Sequence, residues 1–276
     1  MSLITMPREM GSLGVEVAAE VAKRLGKSVI HHEISDQLAN KMRLRKSHVV
    51  RFLEGKAGIL EKMATDETSL SIYTADEIFR LAESGEVAVI RGWGATHLLN
   101  DVPHVVRVRV CAPYELRVTR MMERLKTDDR SSVEKEIRLS EEAHTAITRR
   151  HFDLNWRDAE HYDAILNTER MSVTECADAL MAMLKLSRYA QTTDSRQKLR
   201  DLGLAAYVRA ALRNDERTEK LLITVTVTNG QAELSGTTEA SASAESAATV
   251  AAATPGITGV TNKLQSRDRR FSRLDS

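Results

Sequence analysis

Cysteine is almost missing from this 276-residue chain. Only Cys111 and Cys176 occur, far apart, so neither a disulfide scaffold nor a cysteine-based metal site is indicated. Also missing is any run near the roughly 18 apolar residues of a membrane span. The opening residues, MSLITMPREMGS, lack a basic stretch followed by an apolar one, so a secretory signal is not expected. Charge of one sign is missing too: 40 Lys+Arg stand against 39 Asp+Glu, a net charge of +1. A dedicated nucleic-acid binder carries a basic excess, so no specific nucleic-acid partner is expected. What is present, 42% hydrophobic and 29% charged residues, suffices for a sizeable core in a soluble chain. The expectation is a cytoplasmic protein of roughly two domains, at about 100–200 residues each.

A further absence divides the chain. All eight His, all ten Met and both Trp lie before residue 184, and between Asp194 and Leu264 the one aromatic is Tyr207. In the first piece short β-type runs (Ser2–Met6, Val29-Ile30, Glu86–Ile90, Val105–Val110, Asp163–Leu166) alternate with helical patterns. Those helices are expected at Val15–Leu25, Ser71–Ser84, Tyr114–Leu125 and from Ser131 to about Phe152. Capping-box spacing occurs at Thr74/Glu77, Ser131/Glu134 and Ser172/Glu175, the last opening a helix to about Leu186. Alternation of this kind implies an α/β fold with a parallel sheet flanked by helices. Ligands in such sheets bind at the carboxyl ends of strands, which directs attention to the residues after Met6, Ile90 and Val110.

Polar residues Tyr189–Ser195 read as a linker. Beyond it come a helix (about Arg196–Arg213), a strand (Leu221–Thr228), Asn229-Gly230, a strand (Gln231–Gly236), a helix (about Ser241–Ala253) and a strand (Val260–Leu264). Asn-Gly between two alternating runs is a strong hairpin signal, because both residues tolerate positive φ. The expected layout is therefore a domain over 1–188, a linker over 189–195, a small αββαβ α+β domain over 196–265, and a disordered basic tail over 266–276.

Several residues are candidates for chemistry. Arg8-Glu9-Met10-Gly11-Ser12-Leu13-Gly14 leads from the first strand into a helix, and such a turn offers backbone N–H groups and a positive helix end to an anion. Alternatively, Gly11 makes a tight turn and Ser12 caps the helix. Arg91, at the end of a core strand, can bind phosphate or carboxylate bidentately, or cover a turn at the surface. Arg117, Arg120 and Arg124 share one side of their helix and could face a polyphosphate or pair with Glu115 and Glu123. Arg149-Arg150 fit a lid closing over nucleotide, or plain exposed charge. His31-His32 read as ordinary polar residues, and no metal site is expected. Trp93 and Trp156 could line a base pocket or pack in the core.

Taken together, residues 2–186 resemble the cytidylate kinase-like family of P-loop nucleoside monophosphate kinases. The family's opening S-R-E-x-G-S-G-G-R is similar to Pro7-Arg8-Glu9-Met10-Gly11-Ser12-Leu13-Gly14-Val15, and its R-G-A strand end to Ile90-Arg91-Gly92. VVRVRVCAPYELRVTRMMER (Val105–Arg124) resembles its strand, A-P turn and Arg-bearing helix. Arg149–Trp156 resembles the end of its lid, and Asn167-Thr168-Glu169-Arg170 its N-T-x-R signature. The resemblance implies nucleotide binding and ATP-dependent phosphoryl transfer to a nucleoside monophosphate or similar acceptor. Gly11, Ser12 and Gly14 would then cradle the ATP phosphates beside Arg8, with Mg2+ bridging them. Arg91 and Arg117 would orient phosphates, and Arg149 and Arg150 would come from the lid.

Three departures qualify this. Leu13 stands where the loop usually has Gly, Val15 where it has a basic residue, and Ala143-His144 where lid positions often hold Asp and Arg. They leave open the alternative of a catalytically degenerate, nucleotide-binding regulator. Residues 196–264 resemble a BON domain, through the hairpin Val225–Gly236 and the ending PGITGVTNKL. That implies a binding module with a protein or phospholipid partner. With eight basic and eight acidic residues between Asp194 and Leu264, attraction to anionic lipid is not built in.

Overall fold

The computed structural model describes residues 3–30, 33–42, 44, 47, 67–92 and 94–267. His31-His32, Trp93, most of residues 43–66 and the tail beyond residue 267 lie outside them. In chain order the elements are β1 (Leu3–Thr5), α1 (Gly14–Leu25), β2 (Ser28–Ile30), α2 (Glu33–Met42), α3 (Glu67–Ser84), β3 (Val87–Ile90), α4 (Ala95–Leu98), β4 (Val105–Cys111), α5 (Tyr114–Leu125), α6 (Arg130–Phe152), β5 (Ala164–Asn167), α7 (Val173–Met183), α8 (Thr193–Asn214), β6 (Ile223–Thr228), β7 (Gln231–Thr238), α9 (Ser241–Ala252) and β8 (Gly259–Ser266). The chain forms two compact units. The first holds the described residues before Glu67 together with Ser84–Thr192; the second holds Glu67–Glu83 and the residues from Thr193 onward.

The first unit is built on a five-stranded sheet of order β2-β3-β1-β4-β5. Every pairing is parallel, with Ile4 aligned to Val89 on one side and Val106 on the other. β1 and β3 are apolar without alternation because both faces are covered, and each of their residues is buried. β4 instead alternates, which leaves Arg107 and Arg109 half-buried. α1 and α7 bring Val17, Val21, Ala177 and Leu180 onto Ile4, Val89 and Val108 in a single core cluster. Burying one such side chain fully contributes about 1.5–3 kcal/mol. After β1 the chain runs to β2 on one side of the sheet, and after β3 it crosses to β4 on the other. The resulting crevice lies at the carboxyl end of β1, where open α/β sheets bind their ligands.

Local capping signals were partly misleading. Ser172 and Glu175 do form the complete reciprocal box at the start of α7. Thr74 and Glu77, by contrast, lie inside α3, which begins at Glu67, and both are buried. α6 starts at Arg130, because the Asp129 carboxylate accepts from the Ser132 N–H at 3.0 Å; Ser131 is a helical residue rather than the cap. Spacing alone cannot tell which of several neighbouring polar residues takes the cap.

In the second unit β6 and β7 form an antiparallel hairpin, and β8 pairs in parallel with β7. Asn229 and Gly230 turn the hairpin with φ of 50° and 76°, the left-handed pair expected of Asn-Gly. Asp201 on α8 holds that turn, accepting from the N–H groups of Asn229 (2.9 Å) and Gly230 (3.1 Å). Val208 and Leu212 of α8 pack on Val225, Leu234, Ala247 and Ala251. α3 belongs here too. Tyr73 donates to Asn214 at 2.6 Å, Arg213 donates to Ser69 at 2.7 Å, and Arg80 lies 4.3 Å over the Tyr207 ring. The expected linker is correspondingly short, since Tyr189 is buried and α8 begins at Thr193. Among the described residues no helix is long and apolar enough to cross a membrane.

Candidate functional site

The loop after β1 is shaped by its glycines. Gly11 has φ of +80°, and a Cβ there would come 2.6 Å from the Arg117 carbonyl oxygen. Gly14 opens α1, and its Cβ would meet that of Arg8 at 2.7 Å. Between them Leu13 takes the helix N-cap position at φ 59°, ψ 16°, with no side-chain cap. A non-glycine residue in this region costs roughly 1–2 kcal/mol. The loop therefore keeps a left-handed turn where the sequence gives it up, and Ser12 is not the helix cap. The Ser12 side chain is instead buried with no hydrogen-bond partner for its Oγ. The N–H groups at the start of α1 likewise have no side-chain cap, and free N–H groups at a helix N-terminus attract anions.

Cations converge on this loop. Burial, Arg91 and Arg124 together pull the Arg8 guanidinium down to about 10, with Glu16 acting weakly the other way. At neutral pH Arg8 stays charged, so a half-buried cation lies among like charges. Arg91 is itself buried, at the carboxyl end of β3, with its N–H on the Ile30 carbonyl at 3.0 Å. Arg124, from the exposed face of α5, completes the group.

Arg117 has another occupation. Only 5% exposed, it donates to the carbonyls of Ala112 (3.1 Å) and Met10 (3.2 Å) and pairs with Glu9 (3.4 Å) and Glu141 (2.8 Å). It ties the loop, the A-P turn and α6 together. Arg120 clasps Thr168 through its hydroxyl and its carbonyl, both at 2.9 Å, and the Thr168 hydroxyl donates to the Ser12 carbonyl at 2.9 Å. The N-T-x-R stretch thus braces the backbone of the loop from behind. Arg149 and Arg150 are exposed near the end of α6. Arg149 lines an open hollow of about 500 Å3 with Arg138, Glu141 and Arg157 rather than joining the Arg8 group.

Of the two tryptophans singled out in the sequence, Trp156 is buried. His144 stacks on Trp156 at 4.2 Å and 6°, and Trp156 donates to the Thr145 hydroxyl at 3.1 Å. Burial, with His97, Arg8 and Arg157 nearby, holds His144 down to about 4. His97 is likewise held at about 4 by burial, His161 and Arg107, and its ring lies 5.1 Å from Phe152. Gly94, at φ +74°, lets Phe152 approach, since a Cβ there would come 2.5 Å from the ring. Glu9 accepts from the Ala112 N–H at 3.3 Å. Of these, Glu9 lies in the glycine-rich motif and His144, Phe152 and Trp156 in the lid stretch, where a local signal existed; the stacking of His144 on Trp156 and the approach of His97 had none. Glu141 and His97 reach the site from elements whose spacing to it is not periodic.

The model of the cytidylate kinase-like family matches residues 3–170. The chain belongs to the cytidylate kinase-like family. Residues 200–268 match the BON domain, so a kinase-like unit and a BON domain share one chain. No curated protein matches it. Among solved structures, an uncharacterized protein from Eubacterium ventriosum is 19% identical, at a TM-score of 0.52, covering 67% of this chain and 98% of its own. That likeness supports the fold of the kinase-like unit. Two shikimate kinases are more distant. The Acinetobacter baumannii enzyme, solved with shikimate, is 14% identical at a TM-score of 0.39, covering 67% of this chain and 93% of its own. The Bacteroides thetaiotaomicron enzyme is 15% identical at 0.39, covering 67% and 99%.

Proposed function

We propose that the kinase-like unit binds ATP and transfers its terminal phosphoryl group to a nucleoside monophosphate or a similar small acceptor. The observation that carries this is the buried, partnerless Ser12 Oγ between two glycines at which a Cβ would come within 2.7 Å of a neighbour, in a loop with Arg8, whose pKa burial and then the like charges of Arg91 and Arg124 pull down. These residues fit a polyphosphate. Gly11, Ser12 and Gly14 would hold it by backbone N–H groups and the hydroxyl, while Arg8 and Arg91 neutralise its oxygens. Mg2+ would arrive with the nucleotide and supply charge neutralisation. Among the described residues no group of three or more His, Cys, Asp or Glu could hold a metal ion. The chain's own contribution is positioning and charge, the main demands of phosphoryl transfer. Arg117 positions the loop rather than the substrate, and Arg149 and Arg150 would act from the lid helix.

An ADP-release assay across CMP, dCMP, UMP, AMP and GMP tests this reading. Turnover with at least one acceptor, abolished by Arg8→Gln, is expected. ATP binding without turnover on any acceptor would refute transfer and favour the second reading, a nucleotide-binding regulator coupled to the BON domain. One observation favours that alternative. α3 is built into the second unit, yet only Gly85 and Glu86 separate it from β3, whose end carries Arg91. The BON domain would engage a protein or phospholipid partner, and co-sedimentation of the full chain with phosphatidylglycerol vesicles distinguishes the two.

A further inference from the structure

The second unit contains a hollow of about 340 Å3 at one end of α8. Its apolar walls are Ile72, Leu212, Leu221, Leu222 and Ile223, with threonines and two cations, Arg209 and Arg213, set among them. Small-ligand sites run from about 300 to 1,000 Å3 and combine apolar walls with a few placed polar groups. The hollow is not a property of a BON domain by itself, because Ile72 comes from α3, far ahead of the matched residues 200–268.

Arg209 is the chemical anchor. Its Nη1 donates to the Val225 carbonyl at 3.1 Å, which occupies one of five N–H donors. Burial lowers its pKa. The other cation at the hollow, Arg213, is already engaged, by the Ser69 hydroxyl and the Glu219 carbonyl. Leu222, which lines the hollow, is 78% exposed, a large aliphatic side chain offered to solvent. A single available guanidinium, with Glu219 on the wall, matches one negative charge better than two.

We propose that this hollow binds a small soluble monoanion with an alkyl body, of the medium-chain carboxylate class, its carboxylate on Arg209 and its chain along Leu212, Leu221 and Leu222. A carboxylate matches the planar fork of a guanidinium. The aliphatic walls remove the alkyl chain from water. Such a ligand goes beyond the nucleotide site and would be taken up by the BON-containing unit independently of it.

The test is calorimetric titration of the full chain with sodium octanoate below its micellar concentration. Saturable one-to-one binding is expected, with acetate at least tenfold weaker and octylammonium without effect. Arg209→Gln should weaken octanoate about tenfold or more, the worth of a charge-assisted hydrogen bond. Leu222→Asp, at an exposed position that leaves folding intact, should weaken it similarly by placing a like charge on the wall of the hollow. No binding of octanoate would overturn the proposal, as would equal binding of octanoate and octylammonium or of octanoate and acetate. Unchanged affinity in Leu222→Asp would overturn it even if Arg209→Gln failed to fold. Pelleting with phosphatidylglycerol vesicles in the absence of octanoate binding would reassign the surface to a membrane. None of these outcomes depends on ATP turnover, so the proposal stands or falls separately from the kinase reading.

Discussion

Replacing Thr168 by valine should loosen the glycine-rich loop after β1 while leaving every residue of that loop unchanged. The Thr168 side chain is 4% exposed; its hydroxyl donates to the Ser12 carbonyl and accepts from Arg120 Nη1, each at 2.9 Å. Valine keeps the shape and removes both bonds. An acceptor left unpaired in the interior costs about 1–3 kcal/mol, and a hydrogen bond to a charged group is worth about 1.5–3 kcal/mol. Arg120 is half-buried, so water can reach it, and it keeps its bond to the Thr168 carbonyl. The net loss should therefore lie near the lower end, about 2 kcal/mol. For a unit of this size that lowers Tm by about 4–8 °C. Both tryptophans precede residue 184, so tryptophan fluorescence reports unfolding of the kinase-like unit alone. Thr168→Ser, which retains the hydroxyl, should stay near the wild type, and ATP should stabilise Thr168→Val less than either. A Tm for Thr168→Val within about 1 °C of wild type would refute the brace. An equal fall in Thr168→Ser would show that packing, not the hydroxyl, is responsible.

Other perturbations follow from the same geometry. Gly11→Ala forces a side chain into φ +80° and within 2.6 Å of the Arg117 carbonyl, which should cost about 1–3 kcal/mol and abolish the ATP-induced rise in Tm. His144 and His97 are both held near 4 when folded, against an ordinary value of 6.5, so the unfolded chain binds more protons below that pH. Stability is then full above about pH 6.5 and falls by about 1.4 kcal/mol per pH unit per histidine towards pH 4. Urea unfolding between pH 7 and pH 5 should show this slope, and His144→Gln should flatten it by about one proton. Asp201→Ala removes the acceptor of two hairpin amides, one of them the buried Gly230 N–H, and should cost about 2–3 kcal/mol in the second unit. Amide exchange at Asn229 and Gly230 should accelerate accordingly, and less so in Asp201→Asn.

Much of the site was legible because its backbone is local. A turn at Gly11, a strand ending at Arg91 and a hairpin at Asn229-Gly230 each follow from residues adjacent in the chain. The complete box at Ser172/Glu175 was readable for the same reason, and its counterpart at Ser131/Glu134 failed because Asp129 stood two residues away with an equally good oxygen. What Arg117 does was not legible. Its partners come from Met10, Ala112 and Glu141, and no spacing connects them. The sequence shows a stripe of three arginines; burial separates Arg117 as a strut, Arg120 as a clasp and Arg124 as an exposed charge near Arg8.

The amino-acid sequence by itself determined the alternation of strands and helices, the parallel sheet, the glycine-rich loop and the change of composition near residue 190, because each depends on neighbouring residues and on apolar periodicity. Only the tertiary structure decided that α3 joins the second unit, since Tyr73, Arg80 and Ser69 find partners in Asn214, Tyr207 and Arg213, more than a hundred residues further on. It also decided that Ser12 is buried without a partner and that Arg8 lies among like charges. Those facts concern distance and exclusion of water between remote segments, and in a chain this close to neutral they make the proposed phosphate site a matter of placement rather than of net charge.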